Sequence, residues 1–256
     1  MTGSARGRTG ASGYRERVPL VAAAVCPHPP LIVPELAGAA APELDDLRTA
    51  CDAAVGQLLA AGPDEILLVG DGPETDWFGP ADYGSLHGYG LRRPVYLWKR
   101  MCSGAELLPL SLTIGAWLVG RSATELPRRA HSVAADASPQ GCAELGASLV
   151  TEAERRTALL VLGDGSACRG TKAPGYDDPR AQAYDDEVAR ALADADPDAL
   201  LGLDPGLSAE LKVAGRAPWQ VLAGAARAAG GEWRGELDYY QAPYGVSYFV
   251  ANWEPA

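Results

Sequence analysis

The sequence predicts an α/β protein, a single-domain layered fold with a central mixed sheet flanked by helices. Apolar runs typical of buried strands alternate with segments of helical periodicity, which is the pattern of a sheet covered by helices. The runs 65–70 and 157–162 show no apolar–polar alternation, so we expect both strands to be buried on both faces. At 256 residues the chain is long enough to bury a core without disulfide or metal support.

The predicted elements follow in chain order. A first strand covers 18–26, and a first helix begins at Pro42 and ends at Gly62-Pro63, with its apolar residues along one stripe. After the strand 65–70, residues 71–93 are rich in Gly, Pro and Asp and predict a long functional or mobile loop. The remaining predicted elements are a short strand over 94–98, a buried helix over 106–120, a helix over 142–156, the strand 157–162, helices starting at Asp178-Pro179 and at Pro218, and two strands around Pro243-Tyr244-Gly245.

Residues 1–17 are the predicted exception to this organisation. They contain Gly, Ser, Thr and arginine with almost nothing apolar, so we expect a flexible tail followed by one domain over 18–256. A basic segment before a short apolar run ending in Cys26 also resembles a secretion signal. Val25 stands where such a signal needs a small residue, which favours a buried first strand instead.

Composition and charge exclude several classes of partner. The net charge is -11 and the isoelectric point is near 4.7, which argues against nucleic acid and against an anionic membrane surface. No apolar run approaches the roughly 20 residues that cross a bilayer. The five cysteines form no CxxC motif, so they predict neither a disulfide framework nor a zinc site, and a reducing, cytoplasmic location is expected.

Polar turns follow three of the predicted strands. They are Cys26-Pro27-His28-Pro29-Pro30, Gly70-Asp71-Gly72 and Gly163-Asp164-Gly165. Ligands of open α/β sheets gather at the carboxyl ends of strands, so we expect these turns to line one cleft. The glycines do not have the spacing of a phosphate-binding loop, which argues against a nucleotide site.

Two segments contain residues that could carry chemistry. Prolines on both sides of His28 fix the backbone, so the imidazole could act as a metal ligand or general base, or it could be a structural histidine in a rigid turn. For His87 and His131 the structural interpretation is favoured. After the strand 157–162 come Ser166, Cys168, Arg169 and Lys172; neighbouring cations could lower the pKa of Cys168 and make it a nucleophile, whereas a small buried thiol is the simpler alternative.

Four segments together resemble a known family. CPHPPLIVPEL, EILLVGDGP, LLVLGDGSACRGTKAPGYDDPRAQAYD and YYQAPYGVSYFVA, spread over about residues 18–254, are similar to the LigB-like family of class III extradiol dioxygenases, whose superfamily includes the Memo proteins. The resemblance implies that family's layered α/β fold, a homodimer, and oxidative ring cleavage of a catechol-type aromatic. It also implies Fe(II), held by two histidines and a glutamate, with a further histidine as acid/base.

Most of the family's site positions are substituted here. By resemblance His28 occupies the first metal-ligand position. Asp71 stands near the expected second histidine, Ser166 is followed by Ala167 where the acid/base histidine is expected, and Gln241 replaces the glutamate. The metal candidates implied by the resemblance are therefore His28, Asp71 and Gln241, and the iron is either held by this altered set or absent.

Three functions follow as alternatives. The first is an oxygenase-like protein with altered or lost activity, using a cleft lined by His28, Asp71, Asp164, Ser166 and Gln241. The second is a non-catalytic protein that binds a small molecule, aromatic by resemblance, or a partner on the same fold. The third is an enzyme with Cys168 as nucleophile, with Asp164, Ser166 and Lys172 as its neighbours in the cleft.

Overall fold

The computed structural model of the chain describes residues 20–98 and 107–256. The predicted flexible tail, the first residues of the predicted first strand, Cys102 and the first residue of the predicted helix 106–120 lie outside these ranges. The strands are β1 (Leu20–Cys26), β2 (Glu65–Gly72), β3 (Asp76–Phe78), β4 (Tyr83–Ser85), β5 (Pro94–Tyr96), β6 (Leu107–Leu108), β7 (Arg128–Ala134), β8 (Thr157–Leu162), β9 (Trp233–Gln241) and β10 (Tyr248–Pro255). The α-helices are α1 (Pro34–Ala37), α2 (Asp45–Ala60), α3 (Leu110–Gly120), α4 (Pro139–Thr151), α5 (Ala181–Ala193), α6 (Pro197–Leu201), α7 (Pro205–Glu210) and α8 (Arg216–Ala229).

A mixed sheet forms the centre of the described chain, in the strand order β3-β7-β2-β8-β1-β10-β9. Its four inner strands β7, β2, β8 and β1 are parallel, whereas β3 and β10 run antiparallel to their neighbours. The sheet is covered by helices on both faces, so the predicted α/β layered fold is confirmed. A second, three-stranded sheet has the order β5-β4-β6.

Helices cover the two faces of the large sheet with separate apolar cores. On one face, Leu159 and Val161 of β8 pack with residues of α4, α5 and α8, including Trp219. On the other face, Leu160 and Leu162 pack with residues of α2 and α3. Because successive residues of a strand point to opposite faces, a strand buried on both sides is expected to be apolar on both, as β8 is after Thr157.

Two glycines allow close packing of α4 against α8. A Cβ on Gly146 would lie 2.0 Å from the carbonyl oxygen of Val221, and a Cβ on Gly224 would lie 2.3 Å from that of Ala143. Such distances are far below van der Waals contact. The helix pair therefore depends on the absence of side chains at these two positions.

The structure shifts several predicted boundaries. A 3-10 helix over Gly38–Leu44 contains Pro42, so the regular helix begins only at Asp45. The predicted loop 71–93 is partly regular, because β2 continues to Gly72 in register with β7 and because β3 and β4 follow. The helix predicted over 142–156 begins at Pro139, where the Ser138 side chain accepts a hydrogen bond from the Gly141 amide, and it ends at Thr151.

The connections place a switch in chain direction beside β8. The helices that follow β1 and β2, namely α2 and α3, lie on one face of the sheet, whereas those that follow β8 lie on the other. Since β8 lies between β2 and β1, the chain leaves adjacent strands towards opposite faces at this point. This is the position where open α/β sheets bind ligands. None of the helices within 20–98 and 107–256 has the length and apolar character needed to cross a bilayer.

Candidate functional site

Three of the predicted site residues meet at the carboxyl edge of the sheet. His28 follows β1, Asp71 lies near the end of β2, and Asp164 follows β8. The amide of Gly163 donates to the Cys26 carbonyl at 3.0 Å, which fixes the ends of β8 and β1 relative to each other. The three turns expected to line one cleft thus meet at the same edge of the sheet.

The imidazole of His28 lies between two carboxylates. His28 is 6% exposed, and its Nε2 is 3.3 Å from Asp71 Oδ1. On the other side of the ring, Nδ1 is 3.7 Å from Asp164 Oδ1, an oxygen that accepts a hydrogen bond from the His28 amide at 2.8 Å. Because Pro29 follows His28 and caps a 3-10 helix that begins at Pro30, the backbone holds the ring in this position.

The two carboxylates have different environments. The Asp71 side chain is 28% exposed, and its backbone carbonyl accepts a hydrogen bond from Ser111 Oγ at the start of α3. Asp164 is more buried, and burial raises the pKa of its carboxyl group, an effect that the neighbouring His28 partly opposes. His28 Nδ1 and Asp71 Oδ1 are buried without a hydrogen-bond partner among the described residues. Buried polar atoms of this kind are commonly satisfied by a ligand, ion or water.

Ser166 belongs to a structural network and not to this cluster. It is fully buried, and both its amide and its hydroxyl donate to the carboxylate of Asp185, at 2.9 and 2.5 Å. The same carboxylate accepts hydrogen bonds from Ser247 and Arg169. The prediction of Ser166 as a cleft residue is therefore corrected: its hydroxyl already has a buried partner.

Cys168 is also buried, at 2% exposure, with its Sγ 3.5 Å from the carbonyl oxygens of Gly175 and Leu211. Burial raises the pKa of this thiol by more than the nearby Lys212 and Arg180 lower it, which disfavours the alternative of Cys168 as a nucleophile. Lys172 is exposed. The alternative interpretation of Cys168, a small buried hydrophobe, agrees with the structure.

The structure does not complete the predicted set of metal ligands. Gln241 ends β9 with an exposed side chain, and β10 separates β9 from β1, a spacing of about 10 Å between the two strands. His87 is exposed, and His131 lies within β7 opposite Trp77. Within the described ranges no group of three or more His, Cys, Asp and Glu side chains is arranged to hold a metal ion. Of the three metal candidates implied by the resemblance, His28 and Asp71 lie together, whereas Gln241 is exposed at the end of β9, two strands from β1, so the facial triad is not completed by the side chains as they stand.

Three further residues shape this region without having been predicted from the sequence. Ser111 holds the carbonyl of Asp71, and Asp185 anchors the segment after β8. Tyr248 is buried at the start of β10, where burial and the nearby Asp164 raise the pKa of its phenol. The sequence contained one indication that Asp185 is buried, because this acidic residue lies next to the predicted buried stripe at Tyr184 and Val188.

Comparisons with known proteins show the fold alone. No family model matches the chain, and no curated protein matches it significantly. A crystal structure of JW3007, described as an uncharacterized protein from Escherichia coli K12, superimposes with a TM-score of 0.52. The match covers 91% of this chain and 99% of the other at 11% sequence identity. The chain thus has the same overall fold as JW3007.

Proposed function

We propose that this protein binds a small molecule at the His28–Asp71–Asp164 cluster without cleaving it. The observation that carries the proposal is the buried imidazole held between two carboxylates, at the edge of the sheet where the chain leaves adjacent strands towards opposite faces. Polar groups that converge at such a position are the usual lining of a small-molecule site.

The chemistry of the cluster favours a ligand with hydrogen-bond donors. An ionised carboxylate only accepts hydrogen bonds. The Asp71 side chain is 28% exposed, and its buried Oδ1, beside His28 Nε2, has no hydrogen-bond partner among the described residues. The carboxyl groups of Asp71 and Asp164 also offer no permanent positive charge to an anionic ligand, which disfavours such ligands here. Hydroxylated aromatics are the first class to test, because the resemblance implies a catechol-type ligand and catechol presents two O–H donors.

The residues present do not support ring cleavage by the chemistry of the family that the chain resembles. Ala167 replaces the acid/base histidine, and loss of such a group removes about 10²–10⁴ in rate. Ser166, beside it, is committed to Asp185. With Gln241 exposed at the end of β9, two strands from β1, the donor set formed by His28 and Asp71 also lacks the third protein ligand of a facial triad.

A second candidate function is an oxygenase that holds its metal by two protein residues. It is favoured by the separation of 3.3 Å between His28 Nε2 and Asp71 Oδ1. Two donors that bind one ion with bonds of about 2.1 Å are roughly 3.0–3.4 Å apart. The same spacing is also compatible with an imidazole that simply lies beside a carboxylate.

Titration with catechol tests the first proposal, with binding followed by calorimetry and oxygen uptake followed in the presence of added Fe(II). We expect saturable binding without oxygen uptake.

Asp71→Asn removes the negative charge of the side chain that is expected to accept the hydrogen bonds of catechol. Hydrogen bonds to charged groups contribute about 1.5–3 kcal/mol, so the affinity for catechol should fall at least about tenfold. Glu74→Gln is the matched control, since Glu74 is an exposed carboxylate just after β2 and should leave affinity unchanged.

Two results would reject the binding proposal: no saturable catechol binding by the wild type, or equal affinity in the wild type and Asp71→Asn. Stoichiometric iron together with catechol-dependent oxygen uptake would instead establish the second candidate. In that case both His28→Ala and Asp71→Asn should lose iron, as measured by elemental analysis.

A further inference from the structure

A separate cavity of about 730 Å³ lies against the C-terminal half of α3. It is bounded by Trp117 and Gly120 of the helix, by β5, and by the segment that leads from α3 into β7. Neither His28 nor the two aspartates beside it line this cavity. A ligand bound here would therefore occupy a different site from the one proposed above.

Arg128, the first residue of β7, is the buried cation of this cavity. It is 6% exposed, and its guanidinium donates to the carbonyl oxygens of Leu97 and Thr124 at 3.4 and 3.2 Å. Its Nε is buried without a hydrogen-bond partner, and no ion pair joins Arg128 to a carboxylate within the described ranges. A buried charge is costly unless it is paired, so this guanidinium is left without a counterion by the described part of the chain.

The other arginines of the cavity do not share this property. Arg93 pairs with Glu35, and Arg121 pairs with Asp52 through two hydrogen bonds. Burial lowers the pKa of Arg128, and the exposed Glu125 only partly opposes that effect. An anion bound beside Arg128 would give its guanidinium the negatively charged partner that Arg93 and Arg121 already have.

The walls of the cavity indicate what else the anion would carry. The indole of Trp117 lies beneath the Arg121 guanidinium at 4.9 Å, and Pro94, Val95 and Trp98 add further apolar and aromatic surface. Flat aromatic walls favour a ring. Because two glutamates line the same cavity and, among its described residues, a single arginine lacks an ion pair, a ligand with one negative charge is favoured over a phosphate dianion.

We propose that this cavity binds a small aromatic carboxylate, with its carboxylate on the Arg128 guanidinium and its ring among the apolar walls. Arginine is suited to this role because its planar guanidinium matches the geometry of a carboxylate. The inference does not depend on the function proposed for His28, and the two can fail separately.

Benzoate is the probe, with benzamide as its uncharged analogue, and binding is followed by tryptophan fluorescence because Trp98 and Trp117 line the cavity. We expect saturable binding of benzoate, at least tenfold weaker binding of benzamide, and at least tenfold weaker binding of benzoate by Arg128→Met. Arg48→Met is the matched control: Arg48 is also 6% exposed and donates to backbone carbonyls, but it does not line the cavity, so benzoate affinity should be unchanged.

The proposal is overturned if benzoate gives no saturable signal, if benzamide binds as tightly as benzoate, or if Arg128→Met binds benzoate as the wild type does. Thermal unfolding of each variant shows whether it is folded. Should Arg128→Met not fold, the benzoate–benzamide comparison on the wild type and the charge-retaining Arg128→Lys decide the question, since Arg128→Lys should keep a preference for benzoate over benzamide.

Discussion

Replacement of Asp185 by asparagine should destabilise the fold strongly. The carboxylate of Asp185 is fully buried and accepts hydrogen bonds from the amide and hydroxyl of Ser166, from Ser247 Oγ and from Arg169 Nη1. These groups connect α5 to the segment after β8 and to the turn before β10. In Asp185→Asn an NH₂ group would replace one acceptor oxygen and would face a donor.

The magnitude follows from burial and charge. Removing one partner of a buried ion pair typically costs 3–5 kcal/mol. Arg169 is 21% exposed and keeps hydrogen bonds to Tyr240 and Ser247, so we expect about 3 kcal/mol, at the lower end. For a chain of this length that loss lowers the melting temperature by about 6–12 °C.

Chemical and thermal unfolding, followed by far-ultraviolet circular dichroism, measure the effect. Asp186→Asn is the matched control, because Asp186 is the next residue of the same helix, is half-buried and accepts hydrogen bonds from Gln182 and Tyr240 at the surface. We expect it to cost less than about 1 kcal/mol. If Asp185→Asn loses no more stability than Asp186→Asn, the buried network does not hold the segment after β8 as argued above.

Three further predictions concern stability and reactivity. Burial and Arg129 lower the pKa of His131 to about 4, so between about pH 6.5 and 4 the unfolded chain binds a proton that the folded chain does not. At full value this difference corresponds to about 3.4 kcal/mol; because His131 is only half-buried, solvent screening reduces the expected loss of stability to about 2 kcal/mol as pH decreases through this window. His131→Gln, measured by urea unfolding at each pH, should lack this loss. Gly146→Ala should destabilise the protein by about 3 kcal/mol because its Cβ would clash with α8, whereas Gly56→Ala, whose Cβ meets nothing within 4 Å on α2, should stabilise it by about 0.5–1 kcal/mol; equal melting temperatures of the two variants would contradict the close packing of α4 on α8. Cys168 should react with iodoacetamide at least tenfold more slowly in the folded protein than in urea, as mass spectrometry of its peptide would show, and equally fast labelling in both states would mean that the thiol is accessible.

The local sequence pattern was sufficient to predict the strands that are buried on both faces and the helices that begin near a proline. β8 is apolar at every position after Thr157, β2 has the apolar run Ile66–Val69, and α3 begins directly after Pro109. The secondary structure of segment 71–93 could not be predicted in the same way. Asp71 and Gly72 extend β2 because they pair with the backbone of β7. A pairing with a strand about sixty residues away leaves no periodic signal in the short run itself.

The candidate site also combines features that the sequence predicted with features that depend on distant parts of the chain. A histidine between prolines at a strand exit was recognisable from sequence, but its hydrogen-bond acceptor Asp164 lies 136 residues further along the chain. The roles expected for Ser166 and Cys168 changed because their neighbours come from α5 and from the segment after α7. No property of the short motif itself reveals that a hydroxyl or a thiol will be buried against them.

For this protein, the sequence by itself determined the α/β layering and the placement of His28 at the end of a buried strand, because hydrophobic periodicity and proline act over a few neighbouring residues. Only the tertiary structure decided that Asp71 and Asp164 flank the imidazole while Gln241 does not, and that Arg128 is buried without a counterion among the described residues. The physical reason is strand order: it places β8 between β2 and β1 and places β10 between β1 and β9, through pairings between distant parts of the chain.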